Sequence, residues 1–223
     1  MTAVAVSSDP GDDATYAAGD AVRVAVTFDA AVAVGTEDGT PRLKLDLGGD
    51  DGAGERWAAY EDGTGTATLT FAWTAAAPDE APAGVAVLAD TLELDGGAIR
   101  SVATQADAAL GHAGLAHDPA HKVDAVAPRL LRGEIDGATV TLTFSEALDP
   151  DSTGGWFKVK VLVSKTSAWI IRASGPVTID GETATVGLGA GNPRTQEGLN
   201  GNELEYLRRA DGTDGSLRDL AGN

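Results

Sequence analysis

The side chains able to do chemistry in this 223-residue chain are mostly carboxylates. There are 34 Asp and Glu against 16 Lys and Arg, and Asp outnumbers Glu by 23 to 11. The short Asp side chain sits in turns and reaches hard cations such as calcium, which takes six to eight oxygen ligands. Two stretches concentrate these oxygens. "SEALDPDSTGG" (145–155) offers Glu146, Asp149 and Asp151, and "DGTDGSLRDLAGN" (211–223) offers Asp211, Asp214 and Asp219. A third, "KVDAVAP" (122–128), carries Asp124. The competing reading is a solvated, self-repelling acidic surface that keeps the protein dissolved.

Other chemistries have little to work with. The chain has no Cys, no G-x-S-x-G and no P-loop, which removes a disulfide scaffold, a thiol nucleophile and two common catalytic frames. Its three histidines crowd into "HAGLAHDPAH" (112–121) with Asp118 among them. A zinc site needs three or four converging ligands, and this Gly/Ala/Pro stretch reads as a loop with no strand to hold them. With so many acids, carboxylate pairs arise everywhere, so an arbitrary pair does not identify a glycosidase. The expectation is a protein that is not an enzyme. Among the tryptophans, Trp73 ends a strand pattern and belongs in a core. Trp57, Trp156 and Trp169 are the candidates for a carbohydrate platform, Trp57 and Trp169 foremost, with core packing as the alternative.

A formal charge of -18 excludes nucleic acid as a partner, since phosphates demand Lys and Arg. The charge is uneven: residues 1–124 hold 21 acids against 6 basic residues, the remainder 13 against 10. No run of about 20 apolar residues exists, so no membrane insertion is expected. The beginning, "MTAVAVSSDPGDD", has no basic region followed by an apolar one, so it is not a signal peptide.

The elements that must position these residues are strands. "VRVAVTF" (22–28) alternates with period two and puts Val22, Val24, Val26 and Phe28 on one face. "RLKLDL" (42–47), "TATLTFAW" (66–73) and "TLEL" (91–94) read the same way, each followed by Gly/Asp punctuation. A second series follows "HKVDAVAP": "RLLRGEI" (129–135), "ATVTLTF" (138–144), "WFKVKVLV" (156–163), "SAWIIRAS" (167–174), "VTIDGETATVGL" (177–188) and "ELEYL" (203–207). "IDGA" (135–138) and "IDGE" (179–182) carry the Asp-Gly signature of tight hairpins. Short strands with turns every 8–12 residues and almost no helix predict antiparallel β-sandwiches, one over 1–124 and one over 125–223.

The two series also repeat one another. "VAVTFDAAV" (24–32) aligns with "VTLTFSEAL" (140–148) at an offset of 116, and "GGAIRSVAT" (96–104) with "DGSLRDLAG" (214–222) at 118. "VTLTFSEALDP" with a terminal "LRDLAGN" resembles the bacterial immunoglobulin-like repeats known as SwmB repeats. These occur in tandem in very long secreted or cell-surface proteins. The first unit, with "YAAGDAVRVAVTF", "TPRLKLDLGG", "AAYEDGTGTATLTFAW" and "LELDGGAIR", resembles the companion module strung with them. The resemblance implies an all-β chain of two tandem immunoglobulin-like antiparallel β-sandwiches. It implies a structural extender segment of an adhesin-like protein, extracellular or at the cell surface, whose secretion signal lies elsewhere. Its partners would be neighbouring repeats of the same polypeptide; the alternative is an adhesion module for a surface glycan or protein. Because the family continues past "AGN" into a final strand, the second sandwich is expected to lack that strand.

In such a sandwich the chain enters at one pole, the first strand runs away from it and the second returns. The loop after the second strand then sits at the entrance pole, and the loop after the sixth comes back to it. In the second unit these are the two acidic stretches, with Asp124 in the linker beside them. Calcium is the candidate cofactor, at the inter-domain junction, held by Asp124, Glu146, Asp149, Asp151 and Asp219; the alternative is that acidic loops gather at a pole because poles are solvated.

Overall fold

The computed structural model describes residues 1, 3–49, 52–136, 139–152, 158–164, 167–188 and 217–223, with the backbone alone at 135–136, 158–164, 167–176 and 188. The chain divides into two compact units, Met1–Val126 and Ala127–Asn223. Both are all-β. Among the described residues there is no α-helix; Pro119–His121 form a 3-10 turn, and the Asp118 side chain accepts the Ala120 N–H at its start.

The first unit contains β1 (Ala3–Val6), β2 (Thr15–Tyr16), β3 (Ala21–Gly35), β4 (Arg42–Asp46), β5 (Glu55–Asp62), β6 (Thr66–Thr74), β7 (Glu80–Ala81), β8 (Val85–Val87), β9 (Ala98–Ser101), β10 (Leu115–Asp118) and β11 (Lys122–Asp124). Seven of them follow the order β1-β3-β6-β5-β4-β8-β10, and β9 pairs with the far end of β3, which completes an eight-stranded antiparallel sheet. A second sheet, β2-β11-β7, has β11 parallel to β2 and antiparallel to β7. Alternation along the strands builds the core between them. Val22, Val24, Val26, Phe28, Leu43, Leu45, Leu69 and Phe71 are buried from the large sheet, and Tyr16, Ala81 and Val123 from the small one. Each large apolar side chain so buried contributes roughly 1.5–3 kcal/mol.

The register fixes how the chain threads this unit. Ala3 of β1 pairs with Thr27 and Val6 with Val24, so β1 runs from the Thr27 end of β3 toward its beginning. At that other end Ala21 pairs with Thr74, and the turn at 17–20 and Ala75 are joined by hydrogen bonds. Strand β2 leads into this turn and β11 runs parallel to it, so β11 leaves here too. The chain therefore enters at one pole and exits at the opposite one.

Two elements differ from the alternation pattern. "TLEL" forms a single bridge, Glu93 with Arg42, rather than a strand. Asp90 and Asp95 on either side have φ of 57° and 47°, and Thr91 gives its N–H to His112, so the chain bends away at both ends of the bridge. The stretch 112–121, expected as a loop without a strand, contains β10, which pairs with β8. Two glycines make that pairing feasible: a Cβ at Gly84 would meet the Asp118 carbonyl oxygen at 1.7 Å, and one at Gly114 would meet that of Val87 at 2.7 Å.

The second unit contains β12 (Leu130–Asp136), β13 (Thr139–Phe144), β14 (Lys158–Ser164), β15 (Ser167–Asp180) and β16 (Thr183–Leu188) in one antiparallel sheet of order β12-β13-β16-β15-β14. Asp180 pairs with Thr183, so Gly181-Glu182 is a two-residue hairpin loop, with Gly181 at φ +57°. The turn of "IDGA" and the "ELEYL" segment lie outside the described residues. Val140, Leu142, Phe144, Leu148, Ala184, Val186 and Leu217 form the described core.

The repeat seen in the sequence is also a repeat of pairing. Val32 pairs with Ser101 in the first unit. Adding 116 and 118 gives Leu148 and Asp219, and these two form a bridge in the second.

One polar pair secures the exit pole of the first unit. Arg56 donates from Nε and Nη2 to Asp79 Oδ1 at 2.8 and 2.6 Å, and Asp79 is only 6% exposed. Its Oδ2 accepts from Ala76 N–H, and its carbonyl accepts from Ala125 N–H just after β11. Removing Arg56 leaves a buried carboxylate without its cation. Urea titration of Arg56→Ala is expected to show a loss of about 3 kcal/mol, well above the few tenths expected for Arg100→Ala, whose partner Asp107 is exposed.

Candidate functional site

The acidic loop of the second unit begins where β13 ends. Leu148 is buried and bridges Asp219, and its N–H binds the Gly181 carbonyl. Beyond it the chain folds around Asp149. Asp149 Oδ1 accepts from Asp151 N–H at 2.9 Å, and Oδ2 accepts from Arg218 Nε at 2.8 Å. The Asp149 carbonyl accepts from both N–H and hydroxyl of Ser152. Asp149 thus ties its own loop to the 217–223 segment, and Asp151 is exposed.

Asp219 is 2% exposed. Its two oxygens accept from the backbone N–H and the side-chain amide of Asn223, at 2.9 and 3.0 Å, which closes the "DLAGN" turn on itself. Glu146 is half-buried, and a carboxylate oxygen of it lies within 4.8 Å of one of Asp219. Two carboxylates at this spacing repel when both are ionised, and a cation between them converts repulsion into binding. The donors are all hard oxygens, the set suited to calcium or magnesium rather than to zinc or copper. Asp124, in the first unit, ends β11 opposite Glu80 and accepts Val126 N–H at 3.2 Å. Asp211 and Asp214 lie outside the described residues.

The three histidines, adjacent in sequence, have three different surroundings. His112 is 8% exposed; Thr91 N–H donates to its Nε2 at 3.2 Å, so Nδ1 carries the proton and donates to the Ala113 carbonyl at 2.9 Å. His117 donates from Nδ1 to the Gly84 carbonyl at 2.7 Å, with Nε2 at 3.6 Å from Asp46. The His121 ring stacks on Tyr16 at 6.1 Å between centroids, its Nδ1 at 3.1 Å from the Tyr16 hydroxyl. These rings hold loops in place.

Trp57 stands half-buried on β5, opposite Lys44 of β4. Arg42 Cζ lies 4.3 Å and Lys44 Nζ 4.9 Å from its ring centroid, and these cations pair onward with Glu93, Asp95 and Glu55. Trp73 packs against the first unit's core. Trp169 lies on β15 opposite Val161; its side chain, and Trp156 entirely, fall outside the described residues. A small cleft of about 300 Å³ beside the β2-β11-β7 sheet is lined by Thr15, Glu80, Pro82, Lys122, Val123 and Asp124.

Sequence reading missed the two polar networks of the first unit. Arg56 carried a signal in its phase: it shares a face with Ala58 and Tyr60 and pairs with buried Leu45. Tyr16 carried none. It is 1% exposed, and its hydroxyl donates to the Ser8 carbonyl at 2.9 Å. Burial is the largest cause pushing the Tyr16 phenol above its ordinary value; the Ser8 hydrogen bond pulls partly back, and Asp9 and Asp20 push further up. A raised phenol makes a stability contribution that is complete below the unfolded value of about 10 and lost as pH rises through the folded one. In alkaline titration one phenolate absorbance step is expected to coincide with loss of the far-ultraviolet strand signal, and Tyr16→Phe is expected to remove that step. A full phenolate signal from Tyr16 with the fold intact would contradict this. Against known proteins, no family model matches the chain and no curated protein matches it.

Proposed function

We propose that this chain is a non-enzymatic extender segment of a large bacterial extracellular or cell-surface, adhesin-like protein. It would consist of two tandem immunoglobulin-like β-sandwiches, the second resembling a SwmB repeat, with neighbouring repeats of the same polypeptide as its partners. The observation that carries this reading is the duplicated pairing, Val32 with Ser101 and Leu148 with Asp219, at the offsets of the sequence repeat. A scaffold used twice in one chain is how spacers are assembled. The threading of the first unit from pole to pole supports it further, because such a module adds its length to an array.

Calcium is the proposed stiffening cofactor. Glu146 and Asp219 supply the paired carboxylates, and Asp124 is the further ligand that the sequence reading expects. Asp149 and Asp151 shape the loop around that pair.

Antibodies raised against the chain are expected to label intact cells of the source organism; labelling only after permeabilisation would overturn the surface assignment. For calcium, extracellular sites of this kind have dissociation constants near 10⁻³ M, so 10 mM calcium would add about 1.4 kcal/mol. That corresponds to a melting temperature rise of roughly 5–10 °C for a domain of this size. Glu146→Gln is expected to abolish the rise, and an equal response in the variant and the parent chain would remove this site.

A further inference from the structure

We infer that the outer face of the β2-β11-β7 sheet binds a small zwitterion, a molecule of dipeptide size with an ammonium at one end and a carboxylate at the other. The inference stands apart from the extender reading, because it uses side chains of the first unit alone. Tyr16, Ala81 and Val123 are buried on the inner face of this sheet. Alternation therefore puts Thr15, Glu80, Pro82, Lys122 and Asp124 on the outer one. These five, with Val123, line the cleft of about 300 Å³, a volume at the small end of ligand clefts. Charge is divided along it. Thr15 pairs with Lys122, while Asp124 pairs with Glu80. One end thus carries an ammonium beside a hydroxyl, and the other carries two carboxylates on directly opposite residues. On β11 the two ends are two residues apart, roughly 6.6 Å at the usual strand rise. An extended dipeptide holds its termini at about the same separation.

Both ends lack what would neutralise them. The segment 1–124 has six basic residues, and five are in ion pairs. Lys122 is the sixth, and its ammonium has no ion pair or hydrogen bond among the described residues. It stays unpaired in a segment with 21 acids, and half-buried, where an uncompensated charge is costly. The Glu80 carboxylate also has no partner among the described residues. It stands opposite Asp124, and like charges so placed repel. Asp124 Oδ1 accepts Val126 N–H at 3.2 Å, which holds that carboxylate at its end of the cleft. A ligand carboxylate at Lys122 and a ligand ammonium at Glu80 relieve both ends together. A simple anion would face the two carboxylates, and a simple cation would face the ammonium. Pro82 and Val123 add apolar surface for the span between the ligand's charges.

The test is a nuclear magnetic resonance titration of the full chain with glycylglycine, in EDTA so that no divalent cation engages Asp124. Saturable shifts are expected at the amides of Thr15, Glu80, Lys122 and Asp124 at millimolar peptide. N-acetylglycylglycine has no ammonium and glycylglycinamide has no carboxylate. Each is expected to bind roughly tenfold more weakly, the loss of one charge-assisted contact. Lys122→Met and Glu80→Gln, both on the outer face, are expected to weaken glycylglycine by a similar factor, and Lys122→Arg to retain it. Glu146→Gln is expected to leave binding unchanged, so failure of the calcium site and failure of this one are told apart. Absence of saturable shifts at these amides would overturn the site, as would equal binding of the three peptides. Unchanged affinity in both Lys122→Met and Glu80→Gln would do the same.

Discussion

Asp79 uses both carboxylate oxygens and its carbonyl on different parts of the first unit. Arg56 of β5, the loop after β6 and the chain just beyond β11 all meet on this one residue. The carboxylate is nearly inaccessible, so its charge requires the guanidinium, while Arg56 keeps 30% of its side chain exposed and adds bonds to the Ala53 and Glu55 carbonyls. A buried pair of this kind adds little net stability over an apolar substitute, but it tolerates no other partner. What it contributes is position. It fixes where the small sheet ends and where the polypeptide leaves the unit, and the pole-to-pole threading depends on that.

Strands were legible because burial on one face imposes period two. The segments at 22–28, 42–47 and 66–73 coincide with β3, β4 and β6, and those at 138–144 and 167–174 with β13 and the start of β15. Where local backbone conformation opposes the pattern, alternation fails. Residues 91–94 have the right apolar spacing, yet the positive φ of Asp90 and Asp95 leaves room for one bridge. Phase was informative but easily passed over at Arg56, where a charged residue stands on the inward face. The partners of Tyr16 and the histidines were not legible, because they join residues as far apart as 105 positions through hydrogen bonds that carry no periodicity. In the second unit the oxygen-rich stretches were visible in the sequence, but the division of labour within them was not. Composition gives no reason why Asp149 should bind Arg218 while Asp219 folds inward onto Asn223.

The duplicated pairing separates scaffold from chemistry at one position. Where the first unit has Ser101, half-exposed on β9, the second has Asp219, buried beside Glu146. Val32 and Leu148, their partners, are both buried and interchangeable as core residues. Substituting a serine by an aspartate at a conserved place in the ladder leaves the strand pairing intact and adds a negative charge whose neighbour is another carboxylate. The scaffold accepts that residue because Asn223 satisfies both of its oxygens.

Charge follows the same division. Five of the six basic residues in 1–124, namely Arg23, Arg42, Lys44, Arg56 and Arg100, are in ion pairs. Four of these pairs lie at the surface, where solvent screens them, and the Glu61 carboxyl is held below its ordinary value chiefly by its hydrogen bond from Arg23. The remaining acids of this segment therefore form a surface of one sign. Such a surface adds nothing to the core and opposes compactness, but it resists collapse of one module onto another. On the proposed extender reading, that repulsion and the fixed exit at Asp79 act in the same direction: one resists compaction, and the other holds the end of the first unit in place.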